Sequence, residues 1–319
     1  MDIAKKVMIN NRERGGGWAK IGVWDKEIQI IMYKIAILGC ENSHAKNFLE
    51  LISTGNYPEI EVIGIYSNEP EAVQKLHDQY GVRIMEDYAE LRGKVDGIMI
   101  TARHGDNHYK YAKPYIDDGI PMFIDKPITC SEEDAIEFMR VAKDKGIRLC
   151  GGSTCAALKE TLDLAEAVRE KSCGDIRGGS LACPIQLSSP YGGFYFYAQH
   201  LVEMVCEIFG RFPISVAAKK NGSQITVLFH YKSFDCVGLY TDNSNVYFAS
   251  RMSFDGAKGM TIDVGIECFE REFEEFCKLL NGGAQTITYE EFVSPVFILN
   301  AIMRSLESGR EEPINEILI

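Results

Sequence analysis

Three polar stretches of the sequence carry side-chain types that could bind a phosphate-bearing cofactor and move a proton. The first, 39–44, reads Gly-Cys-Glu-Asn-Ser-His and directly follows the apolar run 35–38. The second, 101–108, reads Thr-Ala-Arg-His-Gly-Asp-Asn-His, and the third is Asp125-Lys126-Pro127. Each follows an apolar run typical of a buried strand. Because ligands of open α/β sheets bind outside the carboxyl ends of the strands, these stretches predict one shared site.

The first stretch predicts the strand, tight turn and helix that open a dinucleotide-binding βαβ unit. Gly39 allows the turn, and the helix that follows would point its amides at a pyrophosphate. Where the fingerprint G-x-G-x-x-G has its second and third glycines, this chain has Glu41 and His44. We expect Glu41 to crowd the cofactor and His44 to face the cofactor or substrate instead of the helix–sheet seam. Taken alone, the turn is weak evidence, and an ordinary βα loop is the alternative.

The other two stretches also have simpler explanations when each is considered alone. A lysine between an acid and a proline has a restricted backbone and a nearby counter-charge, which could tune it for chemistry. The alternative for Lys126 is a salt-bridged loop lysine. For His104 and His108 the alternative is a surface or helix N-terminal residue, and for His104 we prefer it.

Composition limits the class of protein. The chain has 319 residues, 46% hydrophobic and 25% charged, enough for two domains of ordinary size. Its net charge of −12 is spread along the sequence, which argues against a nucleic-acid groove or an anionic membrane as the main partner. Ten cysteines without a C-x-x-C pair predict reduced, mostly buried thiols, and no apolar run reaches the roughly 20 residues of a membrane span. We therefore expect a cytoplasmic protein.

Hydrophobic patterning predicts an α/β protein with two domains. Residues 33–151 alternate strands and helices, which indicates a Rossmann-type, doubly wound parallel sheet. Strands are predicted at 35–38, 61–66, 83–85, 95–101, 122–124 and 147–150, and helices at 70–80, 87–91, 107–116 and 131–145. The caps Ser131, Asn68, Gly81 and Gly146 are expected to bound these helices.

Residues 152–319 predict a substrate-binding and oligomerisation α+β domain built on a mostly antiparallel open sheet. Its strands are predicted at 177–184, 215–219, 224–231, 236–241 and 245–250, and its helices at 157–170, 199–209, 269–280 and 290–308. Asn221-Gly222 and Asp242-Asn243 are expected to be hairpin turns. An open sheet often buries its free face against another subunit, so we expect a homo-oligomer. Residues 1–32 fit neither pattern, and we interpret them as an extension, with Met32 as the natural start.

Taken together, these motifs resemble the Gfo/Idh/MocA oxidoreductase family, the glucose–fructose oxidoreductase and inositol dehydrogenase type. Residues 101–108 are similar to the family's T-P-N-x-x-H, and Asp125-Lys126-Pro127 is similar to its E-K-P. The resemblance covers essentially all of 33–319 and continues through three further features: Gly174-Asp175-Ile176 before a strand, His200 at a helix start, and the closing pattern 269–273 with 305–309.

The resemblance implies an NAD(P)-dependent enzyme that transfers a hydride at a CH–OH group of a sugar, cyclitol or similar polyhydroxylated small molecule. It implies that Lys126 contacts nicotinamide ribose and substrate, and that His200 exchanges a proton with the reacting oxygen. The family motif D-x-G-x-H-x-x-D falls on Phe196, Ala198, His200 and Glu203. Phe196 stands where the motif has its first acid, and a hydroxyl of Tyr195 or Tyr197 could replace that acid as a proton-transfer partner. We assign the catalytic roles to Lys126, His200 and Tyr197.

The cofactor is expected to be NAD or NADP, because the end of the second strand lacks both the acid and the arginine that distinguish them. Glu69 is a weaker candidate for the ribose contact. The residues assigned to cofactor binding lie at the carboxyl ends of predicted strands: Gly39, Asn42, Ser43, His44, Ser67, Asn68, Thr101, His108, Asp125 and Lys126. No metal site, nucleic acid or membrane is expected.

Two other functions remain open at this stage. One is an enzyme of the same fold that uses bound cofactor for a transient redox step, as in NAD-dependent glycoside hydrolysis. The other is a non-catalytic ligand-binding or regulatory member that kept the scaffold. Binding of NAD(H) or NADP(H) separates both enzymes from the third possibility, and stoichiometric change in nicotinamide absorbance separates the first enzyme from the second.

Overall fold

The structure is a computed structural model that describes residues 31–242, 244–265 and 267–319. The extension predicted at 1–32 lies almost entirely outside the described residues. The predicted boundary between domains at 151 and 152 stays a prediction, because the described residues from Met32 onward cluster as one compact unit.

The first half of the chain forms a parallel sheet of five strands in the order β2-β1-β3-β4-β5. The strands are β1 (Tyr33–Leu38), β2 (Ile60–Tyr66), β3 (Gly97–Ile100), β4 (Met122–Asp125) and β5 (Leu149–Gly152). The helices between them are α1 (Ser43–Ser53), α2 (Pro70–Tyr80), α3 (Asp106–Ala112) and α4 (Glu132–Lys145). The strand order reverses between β1 and β3, so the crevice where ligands bind lies at the carboxyl ends of these two strands. The predicted α/β class and parallel Rossmann-type sheet are confirmed.

The second half forms a mixed sheet of seven strands in the order β11-β10-β6-β9-β8-β7-β12, in which only the pair β6–β9 is parallel. Its strands are β6 (Ile176–Ile185), β7 (Ser215–Asn221), β8 (Gln224–His230), β9 (Asp235–Asp242), β10 (Tyr247–Ser253), β11 (Gly256–Ile262) and β12 (Glu312–Pro313). Its helices are α5 (Lys159–Arg169), α6 (Tyr195–Phe209), α7 (Glu267–Leu280) and α8 (Tyr289–Ser308). The predicted mostly antiparallel sheet is confirmed.

Two helices of the second half pack on the first sheet. Phe269 of α7 lies against Phe48 of α1, with ring centroids 5.5 Å apart, and the buried Phe276 of the same helix belongs to that core. Phe297 of α8 is buried in the apolar cluster that covers the opposite face, together with Phe138 of α4. Both faces of the first sheet are therefore covered by helices, and α7 reaches the start of α1 near the crevice.

Several local predictions in the first half were wrong. The predicted strand 83–85 forms only an isolated bridge between Ile65 and Ile84, and 87–91 forms turns instead of a helix. Asn68 is not the cap of α2, because Glu69 is the N-cap residue and makes no side-chain cap hydrogen bond. The predicted helix 107–116 changes to a 3₁₀ helix at Lys113–Asp118, where Pro114 has no amide hydrogen to donate. By contrast, Ser131, Gly81 and Gly146 cap their helices as predicted.

The strand order of the second sheet corrects one hairpin. Asn221-Gly222 joins β7 to β8 as predicted, with Asn221 opposite Gln224. Asn243 of the turn predicted at 242–243 lies outside the described residues, but the strands on either side of it do not pair as a hairpin, because β6 lies between β9 and β10. Strand β11 was not predicted, since its sequence lacks an apolar alternation.

The outer face of the second sheet is where a homo-oligomer was predicted. Ser180 is opposite both Val237 and Ser250 in the ladders, so these three side chains share one face with Met252. Val237 and Met252 are 38% and 51% exposed. The homo-oligomer stays a prediction.

All ten cysteines are free, and eight of them are buried, as the sequence predicted. In the described parts of the chain, no helix is both long enough and apolar enough to span a membrane.

Replacing Gly39 by alanine tests the turn that begins the crevice. Gly39 has φ +90°, and a Cβ there would lie 2.3 Å from the backbone nitrogen of Ala102. We expect Gly39→Ala to lower the free energy of unfolding by about 3 kcal/mol or more, because backbone strain and steric overlap add. Urea denaturation measures the loss.

The matched control for this turn is Gly55→Ala. Gly55 has φ +80° but no heavy atom within 4 Å of an added Cβ. This variant should lose only about 1 kcal/mol, the cost of the left-handed backbone alone. Equal losses in the two variants would contradict the close approach of β1 and β3 at Gly39.

Candidate functional site

The turn after β1 places Glu41 differently from the prediction. The residue is 6% exposed, and its Oε2 accepts a hydrogen bond of 2.7 Å from the Ser67 hydroxyl at the end of β2. Its Oε1 accepts one of 3.0 Å from the backbone amide of Arg103, which follows β3. The side chain therefore joins the ends of two strands instead of only crowding the space above the turn.

Asp125, the last residue of β4, is the central charge of the crevice. It is 1% exposed, and its Oδ2 accepts a 3.1 Å hydrogen bond from the Asn42 amide and lies 2.7 Å from Nδ1 of His44. Its Oδ1 accepts from the backbone amide of Lys126 at 2.7 Å. Burial alone would raise the pKa of Asp125, but His44 and then Lys126 hold this pKa below its ordinary value. The carboxylate thus remains charged and fixes both the start of α1 and the residue after β4.

His44 faces the crevice, as predicted, and not the seam between α1 and the sheet. Its ring lies edge-on against Phe269 of α7, with centroids 5.0 Å apart. Its contact with Asp125 fixes the ring from the other side. The missing third glycine is therefore accommodated, because the imidazole turns toward Asp125 and Phe269.

Lys126 extends from β4 to the start of α6. Its Nζ donates a 3.2 Å hydrogen bond to the carbonyl of Phe196 and lies 4.8 Å and 5.4 Å from the ring centroids of Phe196 and Tyr197. Burial lowers the pKa of Lys126, while Asp125 opposes that shift. An ammonium held beside aromatic rings and partly stripped of water is well suited to stabilise charge on a nearby oxygen.

His200, on α6, has a partner that the sequence did not indicate. Its Nδ1 lies 2.7 Å from the hydroxyl oxygen of Ser153, and the two residues are 5% and 3% exposed. Ser153 also accepts a 3.2 Å hydrogen bond from the Cys155 amide, which fixes the hydroxyl. Burial first, and then the charges of Lys126 and His44, lower the pKa of His200 well below its ordinary value. His200 is therefore neutral at pH 7 and can accept a proton.

These side chains line a cavity of about 470 Å³, which we call the first cavity. The predicted residues Asn42, Ser43, His44, Lys126, Tyr197 and His200 all line it. Its other walls include Arg103, Cys155, Tyr191, Phe196, Tyr247 and Phe269, and none of its lining residues is an Asp or Glu. Burial raises the pKa of Tyr197, so its phenol is neutral and can donate a hydrogen bond.

A neighbouring second cavity of about 400 Å³ lies beside the end of β2. It is lined by Glu41, Asn68, Glu69, His104, Asp106, Asn107, Pro190 and Tyr191. Pro190 and Tyr191 line both cavities. Between them, the Tyr191 hydroxyl donates to Glu69 and accepts from the Arg103 guanidinium, each at 3.0 Å. Asn68 is therefore separated from the residues around Lys126.

Five predicted cofactor residues line neither cavity: Gly39 and Asp125, described above, and Ser67, Thr101 and His108, whose side chains support the backbone. The Ser67 hydroxyl donates its hydrogen bond to the carboxylate of Glu41. Thr101 is fully buried, and its hydroxyl donates to the carbonyl of Gly39 at 3.1 Å. His108 is also fully buried, with Nε2 2.8 Å from the Ala102 carbonyl oxygen, and burial lowers its pKa. Direct cofactor contact by these three side chains stays a prediction that this geometry does not favour.

Other residues at and near the family motif make contacts that support the fold. Glu203 accepts a 2.9 Å hydrogen bond from Gln199 and lies 3.5 Å from Arg211, while Gln199 accepts from the amide of Ile128. These contacts tie α6 to the loop after Pro127. The hydroxyl of Tyr195 donates to Asn300 outside both cavities, so of the two tyrosines considered only Tyr197 lines the first cavity.

Sequence reasoning did not assign Ser153, Arg103 or Tyr191 to the site. Ser153 directly follows β5, so the same strand-end rule that indicated Lys126 could have found it. Arg103 lies within the stretch 101–108 but was given no role. Tyr191 had no signal beyond an aromatic-rich loop, because its partners lie far away in sequence.

A family model described as an oxidoreductase family with an NAD-binding Rossmann fold matches residues 33–152. Those residues belong to the Gfo/Idh/MocA family. The predictions of this family, of an oxidoreductase and of an NAD-binding fold are thus confirmed at the level of the family. No protein with a curated description matches the chain by sequence.

Solved structures share the fold of this chain at low identity. Scyllo-inositol dehydrogenase from Lactobacillus casei with bound NAD(H) and scyllo-inositol is 15% identical, with TM-score 0.78 over 89% of this chain and 99% of that one. A myo-inositol dehydrogenase from Corynebacterium glutamicum ATCC 13032 is 16% identical, with TM-score 0.75 over 89% and 99%. GenD2 from gentamicin A biosynthesis, in complex with NAD, is 13% identical, with TM-score 0.79 over 94% and 100%.

Proposed function

We propose that this chain is an NAD-dependent dehydrogenase that oxidises or reduces a CH–OH centre of a sugar, cyclitol or related polyhydroxylated molecule in the first cavity. The observation that carries the proposal is the meeting of Lys126 and the neutral His200 at one cavity wall, with Tyr197 beside both. The inositol dehydrogenases with the same fold support the substrate class.

In the oxidation direction, His200 removes the hydroxyl proton. When Nδ1–H donates to Ser153, the lone pair of Nε2 is free to accept that proton. Ser153 thereby orients His200 in place of the acid that the family motif has at position 196. Lys126 stabilises negative charge on the oxygen, and Tyr197 donates a hydrogen bond to the substrate. The bound nicotinamide supplies the hydride acceptor.

The residues that line the two cavities fit the two halves of a dinucleotide. Each cavity is within the usual size range of ligand pockets, and the two share Pro190 and Tyr191. Gly39 keeps the tight turn, since no Cβ fits there, and Asn42 and Ser43 stand at the start of α1. Arg103 adds the positive charge that a pyrophosphate needs. Lys126 and its neighbours would then hold the nicotinamide half, and the residues of the second cavity would hold the adenosine half.

Carboxylates in the second cavity favour NAD over NADP. Glu41 and Glu69 line it, and Glu41 touches Ser67, the position where this family's strand end is expected to carry the ribose-binding acid. A carboxylate accepts hydrogen bonds from ribose hydroxyls but repels a 2′-phosphate.

Catalytic variants test the chemistry. We expect His200→Ala and Lys126→Ala to lower kcat at least about 100-fold with NAD, because a proton acceptor and an oxygen-stabilising charge are lost. Tyr197→Phe should also lower kcat, whereas Tyr195→Phe, whose hydroxyl lies outside the cavities, should not. Assays that follow nicotinamide absorbance with inositols and sugars as substrates measure turnover. Thermal melting checks that each variant is folded. Near-normal kcat for either alanine variant would refute its role.

The pH profile distinguishes an orienting role of Ser153 from a merely structural one. Since the pKa of His200 lies well below 6.5, kcat for oxidation should stay flat as pH falls through 6.5 and decline only at lower pH. Ser153→Ala should lower kcat more than it changes KM and should shift that acidic decline. Ser153→Thr, which keeps a hydroxyl, should recover part of the activity. An unchanged profile in Ser153→Ala would contradict the role.

The variant Glu41→Gln tests the cofactor choice. Removing the charge beside Ser67 should weaken NAD binding and reduce the preference for NAD over NADP by about tenfold, worth about 1.4 kcal/mol. Fluorescence titration with NADH and NADPH measures both dissociation constants. The control is Glu166→Gln on α5, which removes an equal charge from an exposed position. An unchanged preference in Glu41→Gln would place the ribose elsewhere.

A further inference from the structure

A second group of chemically capable side chains lies outside the first cavity. Nδ1 or Nε2 of His104, a carboxylate oxygen of Asp106 and Sγ of Cys130 all lie within 4.8 Å of one another. Among the described residues, this is the group of His, Cys, Asp and Glu side chains that meets a metal-binding distance. None of the three has a part in the proposed reaction.

Two loops and the start of one helix build this group. His104 lies between β3 and α3, Asp106 is the first residue of α3, and Cys130 lies between β4 and α4. A Cβ added at Gly192, in the loop before α6, would lie 3.7 Å from both Sγ of Cys130 and Nε2 of His104. Because Gly192 has no side chain and φ +95°, no Cβ occupies that position beside the sulfur and the imidazole nitrogen.

We propose that His104, Asp106 and Cys130 form a site for a zinc-class divalent cation. One imidazole nitrogen, one carboxylate oxygen and one thiolate are the ligand types that Zn²⁺ and Co²⁺ bind, whereas Mg²⁺ and Ca²⁺ prefer oxygen alone. Ligand atoms of a tetrahedral zinc ion stand about 3.5 Å apart. Nδ1 of His104 and Oδ2 of Asp106 are already 3.7 Å apart, and no pair in the group exceeds 4.8 Å, so small side-chain movements are enough. The side chains of His104 and Asp106 are 33% and 59% exposed and can make this adjustment.

Binding replaces the thiol proton of Cys130, which passes to solvent, and leaves the fourth position to water or a ligand in the second cavity. His104 and Asp106 line that cavity, so the ion would stand at its wall. It would also join the loop after β3 to the loop after β4, the two loops that carry the stretch 101–108 and Asp125-Lys126-Pro127. The bound ion should therefore stabilise the folded chain, and it would lie outside the first cavity.

Cobalt titration of the full chain tests the site. Metal-free protein should bind about one Co²⁺ per chain, with the near-ultraviolet charge-transfer band of a thiolate ligand, and Zn²⁺ should displace it. Cys130→Ser should abolish the band, and His104→Ala should weaken binding at least about tenfold. The melting temperature should rise on addition of Zn²⁺ in the unmodified protein but not in Cys130→Ser.

The matched control is Cys173→Ser, because Cys173 is also a partly exposed free thiol but lies outside the group. This variant should keep the band and the thermal shift. The proposal is overturned if Co²⁺ gives no charge-transfer band, or if the band survives in Cys130→Ser. Since both readouts are independent of nicotinamide turnover, an inactive enzyme would leave this test intact, and loss of the metal site would leave the proposed dehydrogenase standing.

Discussion

The buried carboxylate of Asp125 is the constraint on which the site depends. A charge that is 1% exposed is tolerated only if its oxygens are fully engaged, and three groups engage them: the Asn42 amide, the His44 ring and the Lys126 backbone amide. Two of these groups come from the turn after β1, and the third comes from the residue after β4. The carboxylate therefore fixes the turn after β1 and Lys126 relative to each other.

From that fixed point, the second half of the chain completes the cavity through two helices. Phe269 of α7 packs on the imidazole of His44, and α6 carries His200 toward Lys126. Helix α6 has little freedom, because eleven of its fifteen residues are buried and Gln199 and Glu203 tie it to neighbouring loops. Packing therefore assembles the site. It buries His200 and brings the charge of Lys126 close to it, and both effects lower the pKa of His200.

Features set by neighbouring residues could be predicted from the sequence, and features set by distant partners could not. The caps Ser131 and Gly146 depend on a single turn of backbone, and the strand-end rule correctly brought Lys126 and His44 to one cavity. The position of β6 between β9 and β10 is a long-range pairing with no local signal. The same holds for the bond between Ser153 and His200, because no spacing along the chain relates these two positions.

The two departures from the dinucleotide fingerprint are best understood as one. At position 41 a glycine is replaced by an acid, and at the end of β2 an acid is replaced by Ser67. In the structure the carboxylate of Glu41 lies 2.7 Å from that serine hydroxyl, at the end of β2 where the missing acid would stand. The carboxylate at the end of β2 thus comes from position 41 and not from position 67. Under the proposed function the pair of substitutions keeps a carboxylate at the end of β2 for the ribose hydroxyls, so the acid at position 41 agrees with the proposed NAD binding.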